Sequence, residues 1–170
     1  IEWRKNGDHI LILMQNPGDA SLRGADIFEW VENTVIELRK HTDRPIRIRP
    51  HPLPNKQQKL EQLKQKLRDV TFVENKLPDN LRPLSEDFKN CWCVVTYSSG
   101  SSVDAVMAGI PNVACDTGNM AWPISSTKLD MIEKPYTGDT KLWEQQISHC
   151  QFSTEELRNG VCWNHIRQSL

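Results

Sequence analysis

The chain has 170 residues, 25% of them charged and 38% hydrophobic. That is enough to bury the core of one globular domain and too little for two full ones. The formal net charge is −1, from 21 Lys and Arg against 22 Asp and Glu, so bulk electrostatic attraction to nucleic acid or anionic lipid has no support, which leaves open a local basic site. The longest apolar runs, Ile10–Met14 and the neighbourhood of Val94–Val95, are far short of a membrane span. No signal-peptide h-region opens the sequence. The five cysteines are odd in number and none stands in C-x-x-C spacing. Cys91 and Cys93 alternate around Trp92, so buried free thiols and a reducing, cytoplasmic location are expected.

In chain order, His9–Gln15 is a short apolar run that predicts a buried strand, ended by the turn residues Asn16-Pro17-Gly18-Asp19. Between Ala25 and Lys40 the residues Ile27, Trp30, Val31, Val35 and Leu38 recur at helical spacing. Pro45–Pro50 alternates apolar and basic residues as a strand does. Lys56–Leu67 places Leu60, Leu63 and Leu67 on one face of an exposed amphipathic helix. Val70–Val73 predicts a third strand, Leu84–Asn90 a short helix, and Trp92–Tyr97 a buried strand. The turn Ser98–Ser102 leads into a helix over Val103–Ala108 that closes at Gly109. Pro111–Cys115 is the fifth strand and Asp116–Ser126 a polar loop. Helical stretches around Lys128–Ile132, Lys141–Cys150 and Thr154–Gln168 complete the chain, with Trp30, Trp143 and Trp163 as core residues.

Strands separated by helices require crossovers, and crossovers give parallel pairing. The expected architecture is therefore α/β, a Rossmann-like parallel sheet of about five strands flanked by helices, in one domain over 1–170. Ligands of such sheets bind beyond the C-terminal strand ends, which singles out four loops. Ser98, Ser99, Gly100, Ser101 and Ser102 stand between a strand and a helix, where unpaired N–H groups attract anions and serines also serve as plain helix caps. Asp104 follows in the first turn, either stabilised there by the helix dipole or accepting from ribose hydroxyls. Arg49 and His51 sit in a turn stiffened by Pro50 and Pro52, suited to phosphate or to a leaving group, or merely solvated. Gln15 leaves the first strand in a loop that is either a turn or a substrate contact. Asp116, Asn119 and Trp122 follow the last strand, to meet a ligand or to fix their loop. No metal-ligand spacing and no cofactor motif is present.

Arg49-Pro50-His51-Pro52 after one strand, then S-S-G-S-S-V-D-A-V-M-A-G-I-P over residues 98–111 after another, resembles the C-terminal half of GT-B glycosyltransferases. The nearest likeness is to capsule polysaccharide synthesis proteins and their viral and metagenomic relatives. The opening M-Q-N-P-G-D-A-S-L at 14–22 and the tail W-E-Q-Q-I-S-H-C-Q-F-S-T-E-E-L-R-N-G-V-C-W at 143–163 resemble that family too, so the likeness runs from Leu11 to about His165. The resemblance implies one half of a GT-B fold that binds a nucleotide sugar, of the UDP type, for transfer to an acceptor. It implies that His51 acts at the phosphates as the catalytic residue with Arg49 beside it, that the serine turn holds the diphosphate, and that Asp104 takes the ribose, where the relatives carry glutamate. It further implies a separate N-terminal Rossmann-like domain, in keeping with a chain that opens at Ile1 rather than Met, and hence an isolated half that binds but does not turn over. UDP-sugar 2-epimerases share this half-fold, but Ala105 stands where they carry a further acidic residue. A non-catalytic nucleotide-sugar-binding module is the other alternative. A serine hydrolase lacks its G-x-S-x-G elbow here.

Overall fold

The computed structural model describes residues 1–52, 56–74 and 81–168. Five short strands carry the framework: β1 (His9–Leu13), β2 (Ile46–Arg49), β3 (Thr71–Phe72), β4 (Cys91–Thr96) and β5 (Asn112–Ala114). All pair in parallel, in the order β3-β2-β1-β4-β5, with Ile10 opposite both Ile46 and Cys93. The chain builds outward from β1 to β2 and β3, then returns to place β4 on the other side of β1. The loops after β1 and β4 therefore leave the sheet in opposite directions, which opens a crevice between them.

The pleat divides β1 between two apolar layers. Ile10 and Ile12 pack with Ile46, Ile48, Cys93 and Val95 under helix α1 (Ile27–Leu38) and helix α2 (Gln57–Lys66). Leu11 and Leu13 pack with Cys91, Val94, Ala105 and Ile110, beside helix α3 (Leu84–Asp87) and helix α4 (Ser101–Met107). The N-terminus of α1 is capped by Asp26, whose carboxylate accepts from the Phe28 N–H at 2.9 Å. Helix α2 needs only Leu63 fully buried and ties its outer face to α1 by Lys59–Asp26 and Lys66–Glu32 pairs.

Cys91 and Cys93 do not share a face. The ladder pairs His9 with Cys91 and Ile10 with Cys93, leaving Trp92 as the extra residue of a bulge. Gly7 lies against that bulge so closely that a Cβ on it would stand 2.4 Å from the Trp92 nitrogen. Helix α4 closes as the sequence predicts. The N–H of Ile110 reaches the Ala105 carbonyl at 2.9 Å and that of Gly109 reaches Val106 at 2.8 Å, with Gly109 at φ 74°. Its start differs by two residues, because the helix already begins at Ser101. The polar loops also hold single 3-10 turns, Ala20–Leu22 and Trp122–Ile124, and the stretch predicted near Lys128–Ile132 is the 3-10 turn Leu129–Met131.

The chain divides into two compact units, Ile1–Gly138 and Asp139–Leu170, the first containing the whole sheet. The second carries α5 (Lys141–His149), α6 (Thr154–Arg158) and α7 (Val161–Arg167). The single helix predicted over Thr154–Gln168 is thus two. Gly160, at φ 74°, takes a left-handed conformation that breaks it. Ser153 and Glu156 form a reciprocal capping box at the start of α6. Trp163 is no core residue, being 62% exposed, whereas Trp143 is buried and Trp30 packs against the main core. No helix among the described residues is long and apolar enough to cross a membrane.

Candidate functional site

At the switch point, the C-terminal ends of β1, β2 and β4 enclose a cleft of about 370 Å³. Its walls are the loop after β1 (Gln15, Asn16, Asp19, Ser21), the turn after β2 (Arg49 to Pro52), the start of α3 at Leu84, and the turn Ser98–Ser101 after β4. Seven residues singled out in the sequence, Gln15, Arg49, His51, Ser98, Ser99, Gly100 and Ser101, are therefore brought into one cavity. Ser102, Asp104, Asp116, Asn119 and Trp122 do not line it. Ser102 is fully buried behind it, with its hydroxyl 2.8 Å from the Ser99 carbonyl and 2.7 Å from Asn119 Oδ1. Asp104 is exposed on α4 outside the cleft. Asp116 turns back on its own loop, its carboxylate accepting from the Gly118 N–H at 2.7 Å.

The lining residues play different parts. Gln15 is buried and its amide is fully engaged. Its Oε1 accepts from the Ser98 N–H at 2.8 Å, and its Nε2 donates to the Ser21 hydroxyl at 2.8 Å and to that of Ser98 at 3.2 Å. Ser21 in turn donates from its hydroxyl and its backbone N–H to Asp19 Oδ1, at 2.7 and 2.9 Å. Gln15 is thus a strut between the two walls. Asn119 does the same work deeper in, donating to the Thr96 hydroxyl and the Tyr97 carbonyl while accepting from Ser102 and the Ala121 N–H.

Arg49 is a pillar as well. Its guanidinium pairs with the buried carboxylate of Asp87 and donates to the Arg82 carbonyl at 2.6 Å, and Arg82 Nε donates to the second Asp87 oxygen at 2.9 Å. These bonds fasten the segment that carries Leu84 into the cleft wall. Asp87 and Ser21 were not singled out from sequence. Ser21 had a signal in the Asp19-Ala20-Ser21 spacing, which suits a carboxylate capping a tight turn. Asp87 had none, because its arginine partners lie 38 and 5 residues away.

The cleft also carries neutral donors. The backbone N–H groups of Ser99 and Gly100 donate to nothing among the described residues. Ser99 Oγ receives the Ser101 N–H at 3.2 Å, which leaves its proton to donate outward. His51, half-buried in the turn after β2, has its pKa pushed down by burial and partly restored by the facing Asp19 carboxylate. Asp19 itself is held below the usual carboxylate range, first by the Ser21 hydroxyl and backbone and then by His51. Burial therefore favours the neutral form of the imidazole. Among the described residues no group of three His, Cys, Asp or Glu side chains is placed to hold a metal ion.

The chain matches no family model, no curated protein and no solved structure. The site has to be understood from its own geometry.

Proposed function

We propose that this cleft binds a nucleotide-diphosphate sugar of the UDP type, as the donor half of a two-domain GT-B glycosyltransferase. The observation that carries the reading is the convergence on one cavity at the switch point of the serine hydroxyls, His51 and the Ser99 and Gly100 N–H groups, which have no partner among the described residues. Donors fixed in advance stabilise an anion without reorganising. They also do so without a free arginine, which fits an Arg49 already committed to Asp87.

In the reaction the bond between the sugar's anomeric carbon and the diphosphate breaks, and the electron pair leaves with the phosphate oxygen. His51 donates its N–H to that departing oxygen, and the turn Ser99–Ser101 spreads the charge over its backbone. The oxygen of the incoming acceptor hydroxyl bonds to the anomeric carbon, and its proton passes to a base that the resemblance assigns to the other domain. The isolated chain therefore binds donor and does not transfer it.

The reading is tested by following amide resonances while UDP is added. The largest shifts are expected at Ser99, Gly100 and Ser101, and Ser101→Val should weaken binding with the fold unchanged, since Ser101 is not one of the struts. Shifts confined to residues outside the cleft would remove the donor-site reading.

A further inference from the structure

One polar atom in the cleft wall has no place in the hydrogen-bonding scheme. The side-chain Oδ1 of Asn16 is shielded from solvent and has no partner among the described residues, whereas buried polar atoms of folded proteins are nearly always paired. Its neighbour Gln15 spends every amide group on Ser98 and Ser21, and Asp19 Oδ1 is taken by Ser21. The backbone of Asn16 is held in place, so only its side-chain torsions can bring Oδ1 to a partner. Pro17 restricts the residue before it to extended conformations, and the Asn16 carbonyl is pinned by the Asp19 N–H at 3.1 Å.

We propose that Asn16 is a specificity residue that accepts a hydrogen bond from a hydroxyl or amide N–H on the ligand's sugar, so that the cleft is two-sided. The inference rests on the nucleotide-sugar reading and adds the orientation of the ligand to it. The wall after β4 offers donors, the N–H groups of Ser99 and Gly100, and takes the phosphates. The wall after β1 offers acceptors, Asn16 Oδ1 and the Asp19 carboxylate, which repel phosphate and suit a polyhydroxylated ring. An acceptor left unpaired in the empty protein gains a partner only when the sugar is present, so its contribution falls on the sugar and not on the nucleotide.

The experiment compares the affinity for UDP with that for UDP-glucose, UDP-galactose and UDP-N-acetylglucosamine, in the parent and in Asn16→Leu and Asn16→Asp. In the parent at least one sugar nucleotide should bind roughly tenfold more tightly than UDP, the worth of one well-placed hydrogen bond. Asn16→Leu should erase that margin and leave UDP affinity unchanged, while Asn16→Asp, which keeps an acceptor, should preserve the margin. The melting temperature of unliganded Asn16→Leu should be no lower than that of the parent, because an orphan acceptor has been replaced by an apolar group. If UDP binds but the margin is absent in the parent or survives in Asn16→Leu, this inference falls alone. If the parent does not bind UDP, the nucleotide reading fails and takes this inference with it.

Discussion

The Ser98 backbone N–H donates to Gln15 Oε1 at 2.8 Å, so a buried side chain from the end of β1 holds the turn that follows β4. The two loops that diverge at the switch point are thereby fixed as a pair, before any ligand arrives. Preorganisation of this kind is what lets neutral donors hold a charged group.

Removing the strut should cost folding stability as well as binding. Gln15→Leu strands the Ser98 N–H, and an unpaired buried group costs about 1–3 kcal/mol. The urea unfolding midpoint should fall accordingly, with the slope of the transition unchanged. An unaltered midpoint would mean that water replaces the amide without loss.

Asp87→Asn should be more damaging. It leaves Arg49 and Arg82 facing a neutral amide in a site where the carboxylate is almost fully buried, and breaking a buried ion pair costs about 3–5 kcal/mol. The paired replacement Arg49→Met with Asp87→Leu should recover most of that loss in denaturant titrations. Equal destabilisation by the single and the paired variants would contradict the role given to this network.

The thiols should separate by reactivity. Burial pushes Cys91 up to about 12 and Cys115 to about 11, and raises Cys93 well above its ordinary value, whereas Cys150 is exposed. Iodoacetamide at pH 8 should therefore modify Cys150 first and leave Cys91 and Cys93 untouched until the protein unfolds. Peptide mass spectrometry reads this directly, and early labelling of Cys93 would contradict the packing around it.

The His51 pKa is lowered in the folded state by burial, so the unfolded chain binds the proton more readily. Stability should then rise with pH across the interval between the depressed pKa and the ordinary value near 6.5, and fall as pH is lowered through that interval. His51→Gln should flatten this part of the profile. An anion in the cleft opposes burial and raises the pKa again, so UDP binding should take up a proton near pH 6.5. Calorimetry in two buffers of different ionisation enthalpy measures that proton, and identical heats in both would mean that His51 does not face the ligand.

Much of this molecule can be read from its sequence, because the strands are continuous apolar runs and the helices carry one apolar face. The order of elements dictates a parallel sheet, and the rule for such sheets locates the cleft. What the sequence hid is pairing. Arg49 looks like an anion ligand in R-P-H-P, and only the distant Asp87 makes it a pillar. Ser102 looks like Ser101, yet helix α4 begins two residues early and turns Ser102 inward to Asn119. Trp163 has helical spacing around it, but the break at Gly160 gives α7 a register of its own and leaves the indole in solvent.

The central claim is most directly tested by titrating the chain with UDP in a calorimeter near neutral pH. Single-site binding is expected, with His51→Ala weaker by about 1–3 kcal/mol, as for a hydrogen bond to a charged group, and no transfer or hydrolysis of a UDP-sugar by the chain alone. The absence of any binding heat in both buffers, with no shift of the Ser99 and Gly100 amides, would contradict it.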